Sequence, residues 1–418
     1  MRIRTTATPG VIAAKRNLVE CAHCGAFNRL PPGDRPGRLF CYRCDHRLHR
    51  HRPQWSQHAL VCVVTGLILF LLSNTQPFIS LEMADQVLST TLLSGVQALL
   101  SREEVFLAGL LLLSIFLLPL MQLLTLLYLL LSRLQARAMP ASRYGLALLL
   151  RFERWNMLEV FLLGVLVTIV KLSDVAQVVP GAGLYSFLAV VLLLNAAGVL
   201  INRRQLWQQI DGNDYFVLAG NVELSGCSVC NALVDQRLRY CPRCHSRIAR
   251  RQLHSLQRTW GFLAAAIVLY IPANTLPMMY TTSFGATRSD TILSGAHHLL
   301  VTGQWPIALI VFVASILVPI GKIVVLLYLL VRAHRPTPVR LMHRLRLYRV
   351  TEFVGRWSMV DVYVVILMMA LVQFGVIANI EPGGAALSFG CVVVLTMLAA
   401  ESFDPRLLWE GVDETASG

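Results

Sequence analysis

Charged residues are scarce in this chain: Asp, Glu, Lys and Arg make up 14% of the 418 residues, whereas 56% are hydrophobic. Soluble domains average about 25% charged residues, so this composition excludes an ordinary soluble protein. A secretory signal is also lacking, because residues 1–20 are basic and polar and the first apolar run begins near Leu60. We therefore expect the N-terminus to stay in the cytoplasm.

The sequence also lacks a nucleotide-binding or catalytic motif. Lys322 follows Gly321, but Ile316 stands where a phosphate-binding loop has its first glycine, and no Ser or Thr follows the lysine. No arrangement of a nucleophile with a base is evident either. The sequence therefore predicts a protein that is not an enzyme.

The net charge of +14 has two interpretations, a nucleic-acid surface or a set of membrane-topology determinants. The arginines flank apolar runs, as the positive-inside rule requires. We favour the second interpretation and expect no nucleic acid as a partner.

Eight apolar segments are long enough to cross a membrane, because a hydrocarbon core of about 30 Å takes about 20 helical residues. The loops after the second and sixth segments are rich in arginine, whereas residues 80–104 and 280–304 are not. This asymmetry predicts that both termini and residues 203–257 are cytoplasmic. The predicted spans are 58–79, 105–131, 157–179, 183–202, 258–279, 305–331, 359–379 and 384–402.

The two halves of the chain repeat each other. Residues 74–77 (Asn-Thr-Gln-Pro) match residues 274–277 (Asn-Thr-Leu-Pro), and Leu-Ser-Gly occurs at 93–95 and 293–295, 200 positions apart. Later matches, such as Trp207 with Trp409, lie 202 positions apart. Such an offset indicates duplication, and an even number of helices gives both copies the same orientation.

The predicted fold is therefore an all-α polytopic membrane protein, a tandem duplication of a four-helix module. Semi-apolar segments at 87–100 and 290–301 are too short to span and are expected to lie at the outer interface or to cap each module. The predicted divisions are 1–54 (tail and first ribbon), 55–207 (first module), 208–253 (second ribbon), 254–410 (second module) and 411–418 (tail).

Eight of the ten cysteines form two sets of paired Cys-x-x-Cys motifs: Cys21, Cys24, Cys41 and Cys44, and Cys227, Cys230, Cys241 and Cys244. Two such turns complete a tetrahedral thiolate site, which predicts a structural Zn²⁺ ribbon before each membrane module. Disulfides are disfavoured in a reducing cytoplasm. His23 or His46 as a substitute ligand and iron in place of zinc remain alternatives. We expect the ribbons to brace the modules or to touch anionic headgroups.

Ionisable residues within spans are costly and are candidates for function. Lys322 lies roughly 14–15 Å deep in the sixth span and Asp361 roughly 6–8 Å deep in the seventh, so the two are predicted to pair. Ser315, Ser358 and Thr396 are predicted to extend this network. A buried pair that only fixes helix register is the alternative interpretation.

The first copy distributes its charge differently. Glu159 occupies the place of Asp361, but Gln122 replaces Lys322. Lys171 is too far along the helix from Glu159 to pair with it and is predicted to meet Asp174 at i, i+3. The two copies are thus predicted to have different roles.

Several stretches closely resemble the paraquat-inducible protein A (PqiA/LetA) family. They are residues 254–260 (His-Ser-Leu-Gln-Arg-Thr-Trp), 271–274 (Ile-Pro-Ala-Asn), 290–295 (Asp-Thr-Ile-Leu-Ser-Gly), 355–359 (Gly-Arg-Trp-Ser-Met) and 403–407 (Phe-Asp-Pro-Arg-Leu). The resemblance implies tetraspanin-like modules in the inner membrane of a diderm bacterium. It carries over the eight cysteines as zinc ligands, and Lys322, Ser358 and Asp361 fall in matching motifs.

The resemblance further implies a partner and a role. The family works with periplasmic proteins that carry mammalian-cell-entry (MCE) domains, so the implied function is to pass phospholipid or another lipophile between the inner membrane and a periplasmic MCE tunnel, supporting envelope integrity. A passive anchor for the MCE protein and a zinc-dependent membrane regulator are the alternatives.

Overall fold

The structure is a computed structural model of the chain. It contains two small ribbons and two helical modules. We name residues 18–51 ribbon 1, residues 55–211 module 1, residues 224–248 ribbon 2 and residues 254–409 module 2. The structure describes residues 2–4, 18–29, 37–51, 55–83, 86–101, 103–135, 141–153, 156–172, 177–211, 224–227, 229–248, 254–283, 286–301, 303, 305–334, 341–371 and 378–409.

The first half contains five short strands and then module 1. The strands are β1 (Arg2–Arg4), β2 (Leu18–Glu20), β3 (Phe27–Arg29), β4 (Gly37–Phe40) and β5 (Arg47–His51). Module 1 consists of α1 (Trp55–Thr75), β6 (Ile79–Met83), β7 (Gln86–Thr90), α2 (Leu92–Leu100), α3 (Val105–Leu111), a π-helical segment (Leu112–Leu117), α4 (Leu118–Leu134), α5 (Ser142–Phe152), α6 (Leu158–Leu172), β8 (Gln177–Pro180), α7 (Ala182–Leu200) and α8 (Arg203–Asp211).

The second half repeats this order. Ribbon 2 contains β9 (Leu224–Gly226) and β10 (Leu233–Asp235). Module 2 consists of α9 (Ser255–Thr275), β11 (Met279–Ser283), β12 (Ala286–Asp290), α10 (Ile292–Val301), α11 (Trp305–Phe312), a second π-helical segment (Val313–Leu317), α12 (Val318–His334), α13 (Leu341–Trp357), α14 (Val360–Leu371), β13 (Ala378–Pro382), α15 (Gly384–Ser402) and a 3₁₀ turn (Pro405–Trp409). The duplicated architecture predicted from the sequence is confirmed.

Six helical stretches of the described residues are long and apolar enough to cross a membrane: Trp55–Thr75, Val105–Leu134, Ala182–Leu200, Ser255–Thr275, Val313–Ala333 and Gly384–Ser402. Two of the eight predicted spans are shorter than expected, because the predicted 157–179 and 359–379 correspond to α6 and α14. Residues 177–179 and 378–379, predicted as helix, instead begin β8 and β13.

α1 shows how a membrane helix divides its surface. Trp55, Ala59, Val63, Gly66, Phe70 and Ser73 are buried, and they recur every three or four residues along one face. Val61 and Ile68 on other faces are 65% and 56% exposed. A helix that is apolar all round but buried on one stripe is suited to hydrocarbon on its remaining surface.

The predominantly helical fold is as predicted, and each module in addition carries a three-stranded sheet at one end, which we name the sheet end. There β6 lies between β7 and β8, and β11 between β12 and β13, all antiparallel. Ile79 pairs with both Thr90 and Pro180. The backbone N–H groups of Gly181 and Gly183 donate to the carbonyls of Phe78 and Pro77, which ties the start of α7 to the end of α1.

The repeated Leu-Ser-Gly segments begin the short helices α2 and α10 at the sheet end. Thr91 Oγ1 accepts from the Ser94 N–H at 3.2 Å, and Ser94 Oγ accepts from the Thr91 N–H at 2.9 Å. The same reciprocal pair joins Thr291 and Ser294 at 3.2 and 2.8 Å. The repeat is thus a capping box with Ser in place of the usual Glu or Gln.

The two modules meet along the equivalent helices α6 and α14, and α14 also packs against α2. The rings of Phe161 and Tyr363 stand edge to face with centroids 5.5 Å apart. A Cβ on Gly164 would lie only 3.0 Å from the Cβ of Tyr363, so glycine allows α14 its close approach. The modules therefore share an interior rather than forming separate bundles.

Candidate functional site

Each ribbon is built from two Cys-x-x-Cys turns closed by the same backbone pattern. The N–H of Gly25 donates to the carbonyl of Cys21, and that of Asp45 to the carbonyl of Cys41, at 2.9 and 3.1 Å. The residue after the second cysteine has a positive φ in all four turns: Gly25 (70°), Asp45 (54°), Asn231 (55°) and His245 (55°). This left-handed residue turns the chain back so that both thiols face one point.

The eight cysteines form two buried groups in the described part of the chain, and the four sulfurs of each group lie within 4.8 Å of one another. Cys21 Sγ lies 3.5 Å from Cys44 Sγ, and Cys24 Sγ lies 3.7 Å from Cys41 Sγ. These separations exceed a disulfide bond of about 2.05 Å but match two sulfurs each about 2.3 Å from a shared ion. Both groups can therefore hold a metal ion.

Hydrogen bonds among the sulfurs shift the thiols of each group in opposite directions. Hydrogen bonds from Cys21 and then Cys24 lower the pKa of the Cys41 thiol, whereas those from Cys21 and then Cys41 raise the pKa of Cys24. In ribbon 2, hydrogen bonds from Cys230 and then Cys241 lower the pKa of Cys227, and those from Cys227 and then Cys241 raise the pKa of Cys230. The thiolate is the metal ligand, so metal binding would release protons from the thiols that are still protonated.

The second candidate site is the side chain of Lys322, which is 3% exposed within module 2. Its Nζ donates to Thr396 Oγ1 at 2.7 Å and to Ser358 Oγ at 3.2 Å. Both hydroxyl protons are directed elsewhere, from Ser358 to the carbonyl of Gly355 and from Thr396 to that of Val393. The hydroxyl lone pairs thus face the ammonium. We name these three side chains, on α12, α15 and the turn before α14, the Lys322 cluster.

Module 1 has a neutral pair at the equivalent position. Asn156 Nδ2 donates to Gln122 Oε1 at 2.5 Å, where module 2 has Ser358 and Lys322. Leu194, buried, stands at the place of Thr396. One copy therefore holds a buried lysine and the other an amide pair at the equivalent position.

The remaining predicted network residues are placed as follows. Ser315 is buried in the π-helical segment and donates to the carbonyl of Val311. Glu159 is exposed in the first turn of α6, so the structure does not bring it into a buried network. Lys171 lies in the last turn of α6 and Asp361 in the first turn of α14, but their side chains lie outside the described part, as does Asp174. The Lys322–Asp361 and Lys171–Asp174 pairs stay predictions.

An apolar pocket opens at the sheet end where the two modules meet. Val96 and Leu112 of module 1 line it together with Ile366 and Leu367 of α14. Its polar wall includes Asn74 and the capping residue Thr91. An apolar lining with a few polar groups is the usual character of a site for a lipophile.

Three residues that the sequence did not single out join the ribbons to module 2. Glu20 Oε1 lies 2.8 Å from Arg406 Nη1, and Glu20 Oε2 accepts the N–H of Gly226 in ribbon 2. Arg349 on α13 donates to the carbonyl and the sulfur of Cys44. Sequence comparison of the two copies contains a signal for Arg349. At the repeat offset of 202 positions, the equivalent residue of module 1 is Ala147.

Comparison with known proteins identifies the family to which this architecture belongs. A profile of the family described as "Paraquat-inducible protein A" matches residues 56–211 and 256–413, one match for each module. No solved structure matches the chain significantly.

The matched relatives are named as transport proteins. "Intermembrane transport protein PqiA" of Escherichia coli (strain K12) is 34% identical over 412 residues, 96% of this chain and 97% of the relative. "Lipophilic envelope-spanning tunnel protein A" of the same strain is 32% identical, over 93% of this chain and 90% of the relative. The "Probable intermembrane transport protein" of Haemophilus influenzae is 31% identical over 95% of this chain and 96% of the relative. With two matched repeats and relatives above 30% identity along nearly its whole length, the chain belongs to the paraquat-inducible protein A family of multi-pass membrane proteins with a role in intermembrane transport.

Proposed function

We propose that the protein is the inner-membrane component of an MCE-type lipid transport system, passing phospholipid or another lipophile between the inner membrane and a periplasmic MCE tunnel and so supporting envelope integrity. The observation that carries this proposal is the similarity, along the whole chain, to relatives named for intermembrane transport. Orientation follows from the arginine-rich loops, with both termini and the ribbons in the cytoplasm. The sheet ends then face the periplasm, where a tunnel protein would dock.

The apolar pocket supports lipid as the cargo. It lies at the sheet end and is lined by α2, the first π-helical segment, α6 and α14. Its apolar walls and few polar groups fit an acyl chain whose headgroup stays near the polar rim. Module 1 would thus admit lipid from the side.

The Lys322 cluster supports a coupling role for module 2. A buried ammonium at mid-membrane depth is costly and is a functional candidate by default. Its recorded partners are hydroxyls on two other elements, so a change at Lys322 alters how α12, α15 and the start of α14 pack together. Module 2 would in this way couple lipid movement to a conformational or protonation change.

The ribbons are proposed to hold zinc and to brace the modules. Four buried thiols in each group are the donor set of a closed structural zinc site. Arg43 stacks over Trp409 of module 2 at 4.4 Å, and Arg243 over Trp207 of module 1 at 5.3 Å. These contacts occupy the ribbon surfaces with protein, which favours a bracing role over binding to nucleic acid.

The test is copurification of the full chain from detergent. The proposal expects both an MCE-domain protein and phospholipid in the purified sample, and transfer of fluorescent phospholipid to the tunnel protein in reconstituted vesicles. A sample that contains the tunnel protein without phospholipid, together with envelope integrity that is indifferent to Lys322→Gln, would instead establish a passive anchor. If neither an MCE-domain protein nor phospholipid copurifies with a correctly folded chain, the proposal is overturned.

A further inference from the structure

Ribbon 1 docks on the module that is distant from it in sequence. It precedes module 1, yet Arg406 beyond α15 pairs with Glu20 and donates through Nε to the carbonyl of Ala22 at 3.3 Å. The Arg43–Trp409 contact joins the same elements. Ribbon 2 contacts module 1 in turn, where the rings of Tyr144 and His245 stack at 6.0 Å. Each ribbon is thus seated against one module, in a crossed arrangement.

The two metal centres differ in what lies beside their sulfurs. In ribbon 2, Ser246 of the ribbon itself lies 2.9 Å from Cys244 Sγ and 3.0 Å from Cys227 Sγ. In ribbon 1 the matching position is His46, whose side chain is not a hydroxyl. Cys44 Sγ lies 3.7 Å from Arg349 Nη2. Ribbon 1 therefore receives a side-chain hydrogen bond, and a positive charge, from module 2.

This difference affects how firmly each ribbon retains a metal. A divalent ion bound by four thiolates carries a net charge of about −2, which a neighbouring guanidinium stabilises. Losing an outer hydrogen-bond partner typically costs about 10–100-fold in metal affinity. Retention in ribbon 1 should thus depend on α13, whereas retention in ribbon 2 should depend on Ser246.

α13 also reaches the Lys322 cluster. Gly355 lies six residues after Arg349, roughly 9 Å along the helix. A Cβ on Gly355 would lie 3.7 Å from Lys322 Cε, and the Gly355 carbonyl accepts from Ser358 at 2.9 Å. One rigid helix therefore contacts the metal centre of ribbon 1 through Arg349 and the Lys322 cluster through Gly355.

We propose that Arg349 is a positioning residue that couples the metal centre of ribbon 1 to the Lys322 cluster through α13. Metal in ribbon 1 holds Arg349 and thereby fixes α13 against Lys322. Thermodynamic linkage requires the converse, so that displacement of α13 weakens metal retention in ribbon 1. Module 1 lacks the arginine of this link, because Ala147 stands at the place of Arg349.

The first experiment measures metal release from each ribbon in the full-length, zinc-loaded protein. A chelator and an alkylating reagent are added together, and the alkylation of each cysteine over time is read from peptide masses. Arg349→Ala is expected to speed alkylation of Cys21, Cys24, Cys41 and Cys44 by about 10-fold or more, with ribbon 2 unchanged. Arg349→Lys, which keeps the charge, should be intermediate. Arg346→Ala, at an exposed position of the same helix, is the matched control.

The reciprocal variant is Ser246→Ala, which should speed alkylation in ribbon 2 alone. Unchanged rates in ribbon 1 of Arg349→Ala would overturn the proposal. Equal acceleration in both ribbons would also overturn it, because that result indicates general destabilisation.

A second measurement tests the coupling itself. Hydrogen–deuterium exchange is followed with zinc bound and after its removal. Removal from the wild-type protein is expected to raise exchange in Leu341–Trp357. Arg349→Ala should show the raised exchange in α13 even with zinc bound. If exchange in α13 changes neither on removal of zinc nor with Arg349→Ala, the link is refuted. This result would leave the proposed transport function untouched.

Discussion

The Nζ atom of Lys322 lies 2.7 Å from Thr396 Oγ1, joining α12 to α15 inside module 2. Because burying an ammonium is costly, replacing it with a neutral amide should leave folding stability within about 1 kcal/mol of wild type or raise it. We expect Lys322→Gln to reduce lipid transfer at least about tenfold with an unchanged or higher Tm, measured on the same purified sample.

The equivalent pair in module 1 supplies the control for that variant. Gln122 and Asn156 already form an amide pair, so Lys322→Gln combined with Ser358→Asn rebuilds this pair in module 2. A role limited to helix packing predicts that the double variant recovers transfer, whereas a role for the charge predicts that it does not. A loss of several degrees in Tm by Lys322→Gln alone would favour the packing role.

Gly383 begins α15 where the chain leaves β13, with its backbone against the end of α9. A Cβ there would overlap the carbonyl oxygen of Pro277, which is backbone and cannot rotate away. We expect Gly383→Ala to destabilise module 2 by about 3 kcal/mol or more, seen as a lower Tm in detergent. Gly261→Ala on α9, where nothing lies within 4 Å of the new atom, should leave Tm unchanged or raise it. Equal Tm values for the two variants would contradict the packing described at the sheet end.

Metal content gives a test that does not depend on transport. We expect two zinc ions per chain by elemental analysis, falling to one in Cys41→Ser and to one in Cys241→Ser, because each substitution removes a ligand from a separate group. Cys62→Ser and Cys391→Ser should keep two, since neither cysteine belongs to a group. A single substitution that removes both ions would contradict two independent centres.

The sequence was most informative where the signal was local. Cys-x-x-Cys spacing predicted both cysteine groups, and the long apolar run predicted that α1 crosses the membrane. The sheets at the sheet end escaped prediction because Ile79 pairs with Pro180, about a hundred residues away, and both lie in short segments at the ends of predicted spans. Likewise, nothing near Cys44 in sequence indicates Arg349, 305 positions later, as its partner. The duplication held the one signal for Arg349, because a residue that differs between otherwise matching copies can mark where their contacts differ.

The pocket between the modules leads to the last prediction. Val96 on α2 lines it and is 8% exposed, so tryptophan at this position would project into the apolar space. We expect Val96→Trp to lower the phospholipid that copurifies per chain by about tenfold, equivalent to ~1.4 kcal/mol, because the new ring excludes an acyl chain. Val61→Trp, on the 65% exposed surface of α1, adds the same side chain outside the pocket and should retain wild-type lipid. Mass spectrometry of extracted lipid measures both variants. Equal lipid in Val96→Trp and wild type would show that the bound phospholipid lies elsewhere, whereas equal loss in both variants would point to an effect on annular lipid rather than on the pocket.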